Sequence, residues 1–225
     1  MTCCPLTVIL FISEAKDGFS VRKYEENDFK GVYSVYKEAF SEEPWNEYKK
    51  CVACGVNYGI KELENQPAFC KKCDGALKLE DYWTEEDVKS DIQYAKEKNW
   101  NSILVASYRG KIVGFTWGYT LQRKDFPFLG SFPWVVDDSQ GIYVDEVATA
   151  PSARGKGVAT ALEEKLFEEA EKYGFKSVVL RTDERNSAAM NLYKKLGFKP
   201  LEEETGKVYD PKFSSRVYLA KVLYP

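Results

Sequence analysis

The chain has 225 residues, which allows one domain with an insertion or two small domains and a proper buried core. Charged residues make up 30% and hydrophobic ones 44%, and the net charge is -3 with both signs interleaved, so no global electrostatic case exists for nucleic acid or an anionic membrane as partner. Histidine is absent, which leaves proton transfer to carboxylates, tyrosines, cysteines or water.

Residues 1–19 read as a leader, either a strand or disordered. Pro5 to Ile12 is apolar but short, has no basic residue before it and runs into Ser13-Glu14-Ala15-Lys16. Neither a signal peptide nor a membrane span is expected, and a cytoplasmic location follows as an expectation. Cys3 and Cys4 read as free thiols. Val21 to Tyr24 forms the first predicted strand. Asn27-Asp28 then caps a helix whose apolar positions are Phe29, Val32, Tyr33, Tyr36, Ala39 and Phe40.

Residues 49–79 interrupt this pattern. Cys51-Val52-Ala53-Cys54 is followed, after 15 residues, by Cys70-Lys71-Lys72-Cys73. Each pair can chelate one ion, and together they complete a tetrahedral thiolate site. Two disulfides or free cysteines are the alternatives; with nothing marking secretion, metal is favoured. A segment this short lacks the apolar residues to fold alone, and metal binding supplies ~10–16 kcal/mol. One structural zinc held by Cys51, Cys54, Cys70 and Cys73 is the expectation. Iron stays open, because Cys54-Gly55-Val56-Asn57-Tyr58 resembles the first metal loop of rubredoxin. Gly55 and Gly75 are expected where the backbone wraps the sulfurs. Lys49, Lys50, Lys71, Lys72 and Lys78 form either a solvated face or a docking patch for a macromolecule.

Thr84 followed by Glu85, Glu86 and Asp87 marks a second helix start, continued by Val88, Ile92 and Ala95. Asn101 to Tyr108 and Ile112 to Tyr119 read as a hairpin. The aromatic stretch between Leu121 and Gly141, with Phe126, Phe128, Phe132, Pro133 and Trp134, is either a flap over the sheet or a wall of a substrate pocket. A strand from Tyr143 then breaks at Ala150-Pro151-Ser152. The turn Arg154-Gly155-Lys156-Gly157 opens onto a helix with Val158, Ala161, Leu162, Leu166, Ala170 and Tyr173 on one stripe. Unpaired N–H groups at such a helix start, backed by its dipole, suit a phosphate or pyrophosphate. Lys176 to Thr182 is another strand, Asn186 opens a short helix with Ala189, Leu192, Tyr193 and Leu196, and Val217 to Val222 is the last strand. The order is β-α-α-β-β-β-α-β-α-β-β, an α/β domain with a mixed sheet.

Arg154-Gly155-Lys156-Gly157-Val158-Ala159, preceded by a strand and Pro151, resembles the acyl-CoA motif of the GNAT N-acetyltransferase superfamily. The element order matches that fold over residues 20–225 apart from the 49–79 insertion, which members generally lack. The resemblance implies acetyl-CoA as cosubstrate. Its pyrophosphate would lie on the amides of Gly155, Lys156, Gly157, Val158 and Ala159 beside Arg154, its pantetheine arm along the backbone of Val147 and Thr149, and Asn186 would touch it. The segment Asn186 to Tyr193 resembles the family helix whose tyrosine protonates the departing thiolate, which implies that role for Tyr193. With no histidine, the base falls to Glu146 or Asp145, with Glu146 chosen. A bulge in the strand would shift the alternation and decide which of the two faces the cleft.

An N-acetyltransferase acting by direct transfer on a primary amine of a small molecule or protein is thus expected. A CoA-binding adaptor whose zinc ribbon contacts a protein or nucleic acid is the alternative. Pro44-Trp45-Asn46-Glu47 resembles a stretch of members similar to aminoglycoside acetyltransferases. The acceptor, the acyl chain length and a homodimer stay open.

Overall fold

The structure is a computed structural model that describes residues 18–122, 140–204 and 206–223. The aromatic stretch at 126–134, Cys3 and Cys4 lie outside these residues. In chain order the elements begin with β1 (Phe19–Lys23) and α1 (Phe29–Phe40). The insertion supplies β2 (Lys49–Cys51), β3 (Asn57–Tyr58), α2 (Ile60–Leu63) and β4 (Leu79–Asp81). There follow α3 (Glu85–Lys96), β5 (Asn101–Tyr108), β6 (Lys111–Thr120), β7 (Gly141–Thr149), α4 (Val158–Tyr173), β8 (Ser177–Asp183) and α5 (Ser187–Lys195). The chain finishes with β9 (Lys199–Pro200), β10 (Glu202–Glu203), β11 (Gly206–Lys207) and β12 (Arg216–Val222). Among the described residues no helix is long and apolar enough to cross a membrane.

A seven-stranded sheet runs β1-β5-β6-β7-β8-β12-β9. All neighbours in it are antiparallel except β7 and β8, which are parallel, so the sheet is mixed as expected. Period-two alternation sends side chains to two cores. Val105, Phe115, Trp117 and Tyr119 meet Val32, Tyr36 and Phe40 of α1 and Val88 and Ile92 of α3. Leu104, Ala106, Ile142 and Val144 meet Leu162, Leu166 and Phe167 of α4 and Tyr193 of α5. Helix α4 lies close on β6. A methyl group added at Gly114 would stand 2.7 Å from Val158 Cγ1, so the close approach depends on the missing side chain.

Two local expectations need correcting. Asn27-Asp28 does not cap α1 through a side chain. The Asp28 carboxylate is instead taken by the Arg22 guanidinium at 2.6 and 2.7 Å and by the Glu25 N–H at 2.8 Å. Tyr173 does not belong to the buried stripe of α4, being 66% exposed, because the helix ends there at Gly174, whose φ is 99°. The capping box at Thr84 does form, with the Asp87 N–H donating to Thr84 Oγ1 at 3.2 Å and the Thr84 N–H to Asp87 Oδ2 at 2.9 Å.

Candidate active site

The site starts from a divergence of strands. β7 and β8 pair only from Gly141–Ser177 to Val144–Leu180. Beyond that point they part, and the β7 edge from Asp145 to Thr149 has no strand on its β8 side among the described residues. Its backbone N–H and C=O groups are therefore open to a ligand that can pair as an added strand. The gap is a cleft of about 1080 Å³. Its walls bring together residues far apart in sequence: β7 from Val144 to Thr149, the turn at Arg154, Gly155 and Gly157, the start of α4, the end of β8 and the first half of α5.

The turn has the conformation its glycines permit. Gly155 and Gly157 have φ of 76° and 79°, and a Cβ at either would meet nothing within 4 Å. With open space on the side-chain position, it is the left-handed backbone that calls for glycine here. Val158 and Ala159, in the first turn of α4, have N–H groups with no helical carbonyl to bond. Arg154 reaches across to Glu42 at 2.9 Å, and Lys156 Nζ donates to the Ser152 carbonyl at 2.9 Å. Thr149 Oγ1 is buried without a partner among the described residues.

The carboxylate question is settled by a bulge. Trp117 pairs with Glu146, but Gly118 pairs with Val144, so Asp145 is the extra residue. Consecutive residues therefore leave β7 on the same side. Trp117 Nε1 donates to Asp145 Oδ2 at 3.4 Å, and Tyr36 OH donates to Glu146 Oε1 at 3.2 Å. Both carboxyls line the cleft, on the face covered by α1 and α3. Burial, and then the charges of Asp145, Glu47 and Asp91, push the Glu146 carboxyl well up, against the Tyr36 hydrogen bond. Burial also raises Asp145, opposed by Trp117, Tyr119 and Arg181. Asp91 of α3 is lifted to about 6 by burial and by Asp145 and Asp87. Nothing in the chain order pointed to Asp91; only the packing of α3 brings it here.

The opposite lip is the stretch Glu43-Pro44-Trp45-Asn46-Glu47. Glu47 is buried and fixed by Trp83 Nε1 at 2.9 Å and by Arg216 Nη2 at 3.1 Å. Tyr193 of α5 is buried against Phe198 yet lines the cleft. Burial, then the nearby Glu163, Glu146 and Tyr143, push its phenol well up, so it carries its proton at neutral pH. Asn186 is the N-cap of α5, its Oδ1 accepting from the Ala189 N–H at 3.1 Å, and it lines the same cleft.

The four cysteines of the insertion converge apart from this cleft. Their sulfurs all lie within 4.8 Å of one another, with Cys54 and Cys70 at 3.6 Å. That is too long for a disulfide, and all four are free thiols. It is close to the ~3.8 Å edge of a tetrahedron with 2.3 Å metal–sulfur bonds, so the donor set fits a zinc-sized ion. Tyr58, foremost, holds the Cys70 thiol down to about 6. The left-handed residues that wrap the sulfurs are Gly55 and Asp74, at φ 70° and 54°; Gly75 does not have that conformation. The small sheet β3-β2-β4 carries the unit to Asp81, two residues past the expected end. Its lysines are largely engaged: Lys49 with Asp81 at 2.9 Å, Lys50 with Glu80 at 3.5 Å and Lys71 with Glu62 at 2.5 Å.

A profile of the acetyltransferase (GNAT) family matches residues 61–198. A mycothiol acetyltransferase of Pseudarthrobacter chlorophenolicus is 31% identical over 114 residues, which is 49% of this chain and 32% of the relative. An uncharacterized N-acetyltransferase of Methanocaldococcus jannaschii is 29% identical over 134 residues, 52% of this chain and 53% of the relative. The chain thus spans from about a third to about half the length of these relatives. Among solved structures, the PaiA N-acetyltransferase of Thermoplasma acidophilum in complex with coenzyme A aligns with a TM-score of 0.57 at 16% identity, covering 91% of this chain and 98% of the other. The YncA acetyltransferase of Salmonella typhimurium with acetyl-CoA aligns at 0.55 and 14% identity, covering 92% and 95%. At those identities the likeness concerns the fold. With the strand divergence, the glycine turn and the family match in one place, the chain belongs to the GNAT acetyltransferase family.

Proposed function

We propose that the protein is an acetyl-CoA-dependent N-acetyltransferase of the cytoplasm, moving an acetyl group directly to a primary amine of a small molecule or protein. The observation that carries this reading is the unpaired edge of β7 leading to the glycine turn of α4 within one cleft. The diphosphate of the cosubstrate lies on the N–H groups of Gly155, Lys156, Gly157, Val158 and Ala159. Arg154 leaves Glu42 to meet it, a small cost because that ion pair is exposed. Pantetheine pairs with the main chain of Val147 and Thr149, and Asn186 borders the arm from α5. A β7 amide facing the thioester oxygen stabilises the oxyanion.

Glu146, made more basic by burial and neighbouring carboxylates, takes the proton of the incoming ammonium directly or through water. The free amine attacks the thioester carbonyl, a C–N bond forms and the C–S bond breaks. The CoA thiolate leaves with the proton of Tyr193, and the excess proton of the newly acylated nitrogen passes through water to the phenolate, which restores Tyr193. As they ionise, the carboxyls of Asp91, Asp145 and Glu146 give the acceptor side a negative field that suits a cationic amine. Cys51, Cys54, Cys70 and Cys73 would hold one structural Zn²⁺; a four-sulfur donor set would leave no position for substrate, and the ion would act as a cross-link.

A second reading has one observation behind it. Val52 and Phe69, at the two knuckles, are 56% and 67% exposed, which favours a protein partner on the ribbon of a CoA-binding adaptor. One experiment separates the two. Protein, acetyl-CoA and a panel of amines are incubated, and free CoA and acetylated product are followed by mass spectrometry. The transferase reading expects product from a cationic primary amine; CoA binding with no turnover on any amine supports the adaptor.

A further inference from the structure

Helix α4 buries a carboxyl that the transfer chemistry does not use. Glu163 sits between Leu162 and Leu166 on the sheet-facing side and is 0% exposed. Its Oε1 lies 2.7 Å from Thr116 Oγ1 on β6, and its Oε2 is buried with no partner among the described residues. Thr116 Oγ1 also lies 2.9 Å from the main-chain carbonyl of Glu146, next to the bulge. A hydroxyl has a single proton to give, and the carbonyl has none. If Thr116 donates to the carbonyl, the short contact to Glu163 needs the proton of the carboxyl. Among the described residues no lysine or arginine pairs with the carboxyl, and burial, against the Thr116 hydrogen bond, lifts it to about 7. The groups around it are Thr116 from β6, the Glu146 carbonyl from β7 through that hydroxyl, and the Tyr193 phenol from α5, on which Glu163 exerts an electrostatic influence.

We infer that Glu163 is a positioning residue of the transfer site: as the neutral acid it donates to Thr116, and Thr116 in turn pins the Glu146 carbonyl and holds the bulge that turns both Asp145 and Glu146 into the cleft. Its consequence for function rests on the acetyltransferase reading; its protonation does not. An ionised Glu163 would take the proton of Thr116, release the Glu146 carbonyl and add negative charge beside Tyr193.

Two measurements on the full chain test this. The first needs no substrate: the melting temperatures of wild type and Glu163→Gln are compared as pH rises. An acid raised in the folded state stabilises below its unfolded value, and that contribution is lost as pH climbs through the folded one. The gap in favour of Glu163→Gln is therefore expected to widen from about pH 4.5 to about 7 and then level off. A gap independent of pH overturns the neutral acid. The second uses the amine and acetyl-CoA. Glu163→Gln, which still donates, is expected to keep kcat within about twofold at pH 6 and to hold it at pH 8.5, where wild type falls. Thr116→Val, which keeps shape and loses the bridge, is expected to lower kcat about tenfold against wild type at pH 6 and by clearly less at pH 8.5, where wild type has itself lost the bridge, with KM for acetyl-CoA unchanged. Equal pH profiles for wild type and Glu163→Gln, or full activity in Thr116→Val, refute the positioning role. Absence of turnover in wild type with the melting pattern intact counts against the transferase reading and leaves the protonated acid standing.

Discussion

The transfer cleft and the cysteine ribbon are held together by different means. The cleft is cut into a sheet whose two faces bury large apolar cores, so its geometry follows from strand register, a bulge and a strand that parts from its neighbour. The ribbon has a buried core of only Cys51, Tyr58 and Cys70, with Val56, Leu63 and Leu77 partly covered. So little apolar surface does not offset the entropy of ordering the segment; an ion held by the four sulfurs, as proposed, would do so. The two regions are nonetheless bonded. The Ile60 N–H donates to the Ser41 carbonyl at 2.8 Å, and the Tyr48 N–H to the Tyr58 carbonyl at 3.2 Å, so the ribbon braces the lip that carries Trp45 and Glu47. Loss of one hydrogen bond leaves a core-built site folded; loss of its ion would undo a metal-built one as a unit.

The largest effect that breaks the comparison is metal removal. Chelation, or Cys70→Ser, is expected to unfold residues 49–81 while leaving the main sheet intact, since ~10–16 kcal/mol of local stability goes with the ion. Limited proteolysis should cut within the ribbon alone, and KM for the amine should rise while the Kd for CoA stays put. Cutting throughout the chain would show that the two regions are not separately stabilised.

Next comes Tyr193→Phe. If the phenol protonates the thiolate, kcat falls by about 10²–10⁴-fold with little change in Tm, because the ring packing on Phe198 is kept. Glu146→Gln is expected to cost about 10²-fold in kcat/KM, the lower end, since water can carry part of the proton transfer. In wild type the acid limb of the rate profile should rise as the raised carboxyl of Glu146 ionises, before the alkaline fall set by Glu163, and that acid limb should vanish in Glu146→Gln. A smaller effect sharpens the role of the turn. Asn tolerates the left-handed conformation of Gly157, so Gly157→Asn should leave Tm nearly unchanged yet weaken CoA about tenfold by crowding the diphosphate. An unchanged Kd would mean that the cofactor does not approach this turn.

What the sequence revealed follows the same division. The glycine turn and the paired cysteines are local patterns, each written within a few dozen residues, and both appear where expected; the main elements do too, with the small strands and helix of the insertion and the β10-β11 pair added. The bulge was anticipated as a possibility but not located, because register depends on β6 and β7 together. Asp91 and the Arg216–Glu47 pair are assembled by packing between residues distant along the chain. Glu163 was invisible because a polar residue beside Leu162 reads as the edge of a stripe; only the depth of α4 on β6 shows that it is buried. The Asp28 cap failed for a related reason: Arg22, on a separate strand, claims the carboxylate more strongly than a helix N–H would.

The most direct test of the central claim is a crystal structure with acetyl-CoA bound. The pantetheine amides should pair with the main chain of Val147 and Thr149, the diphosphate should sit on the N–H groups of residues 155–159, and the sulfur should lie near Tyr193. A cofactor whose arm bypasses the open edge of β7, or whose diphosphate rests away from the turn, would contradict it.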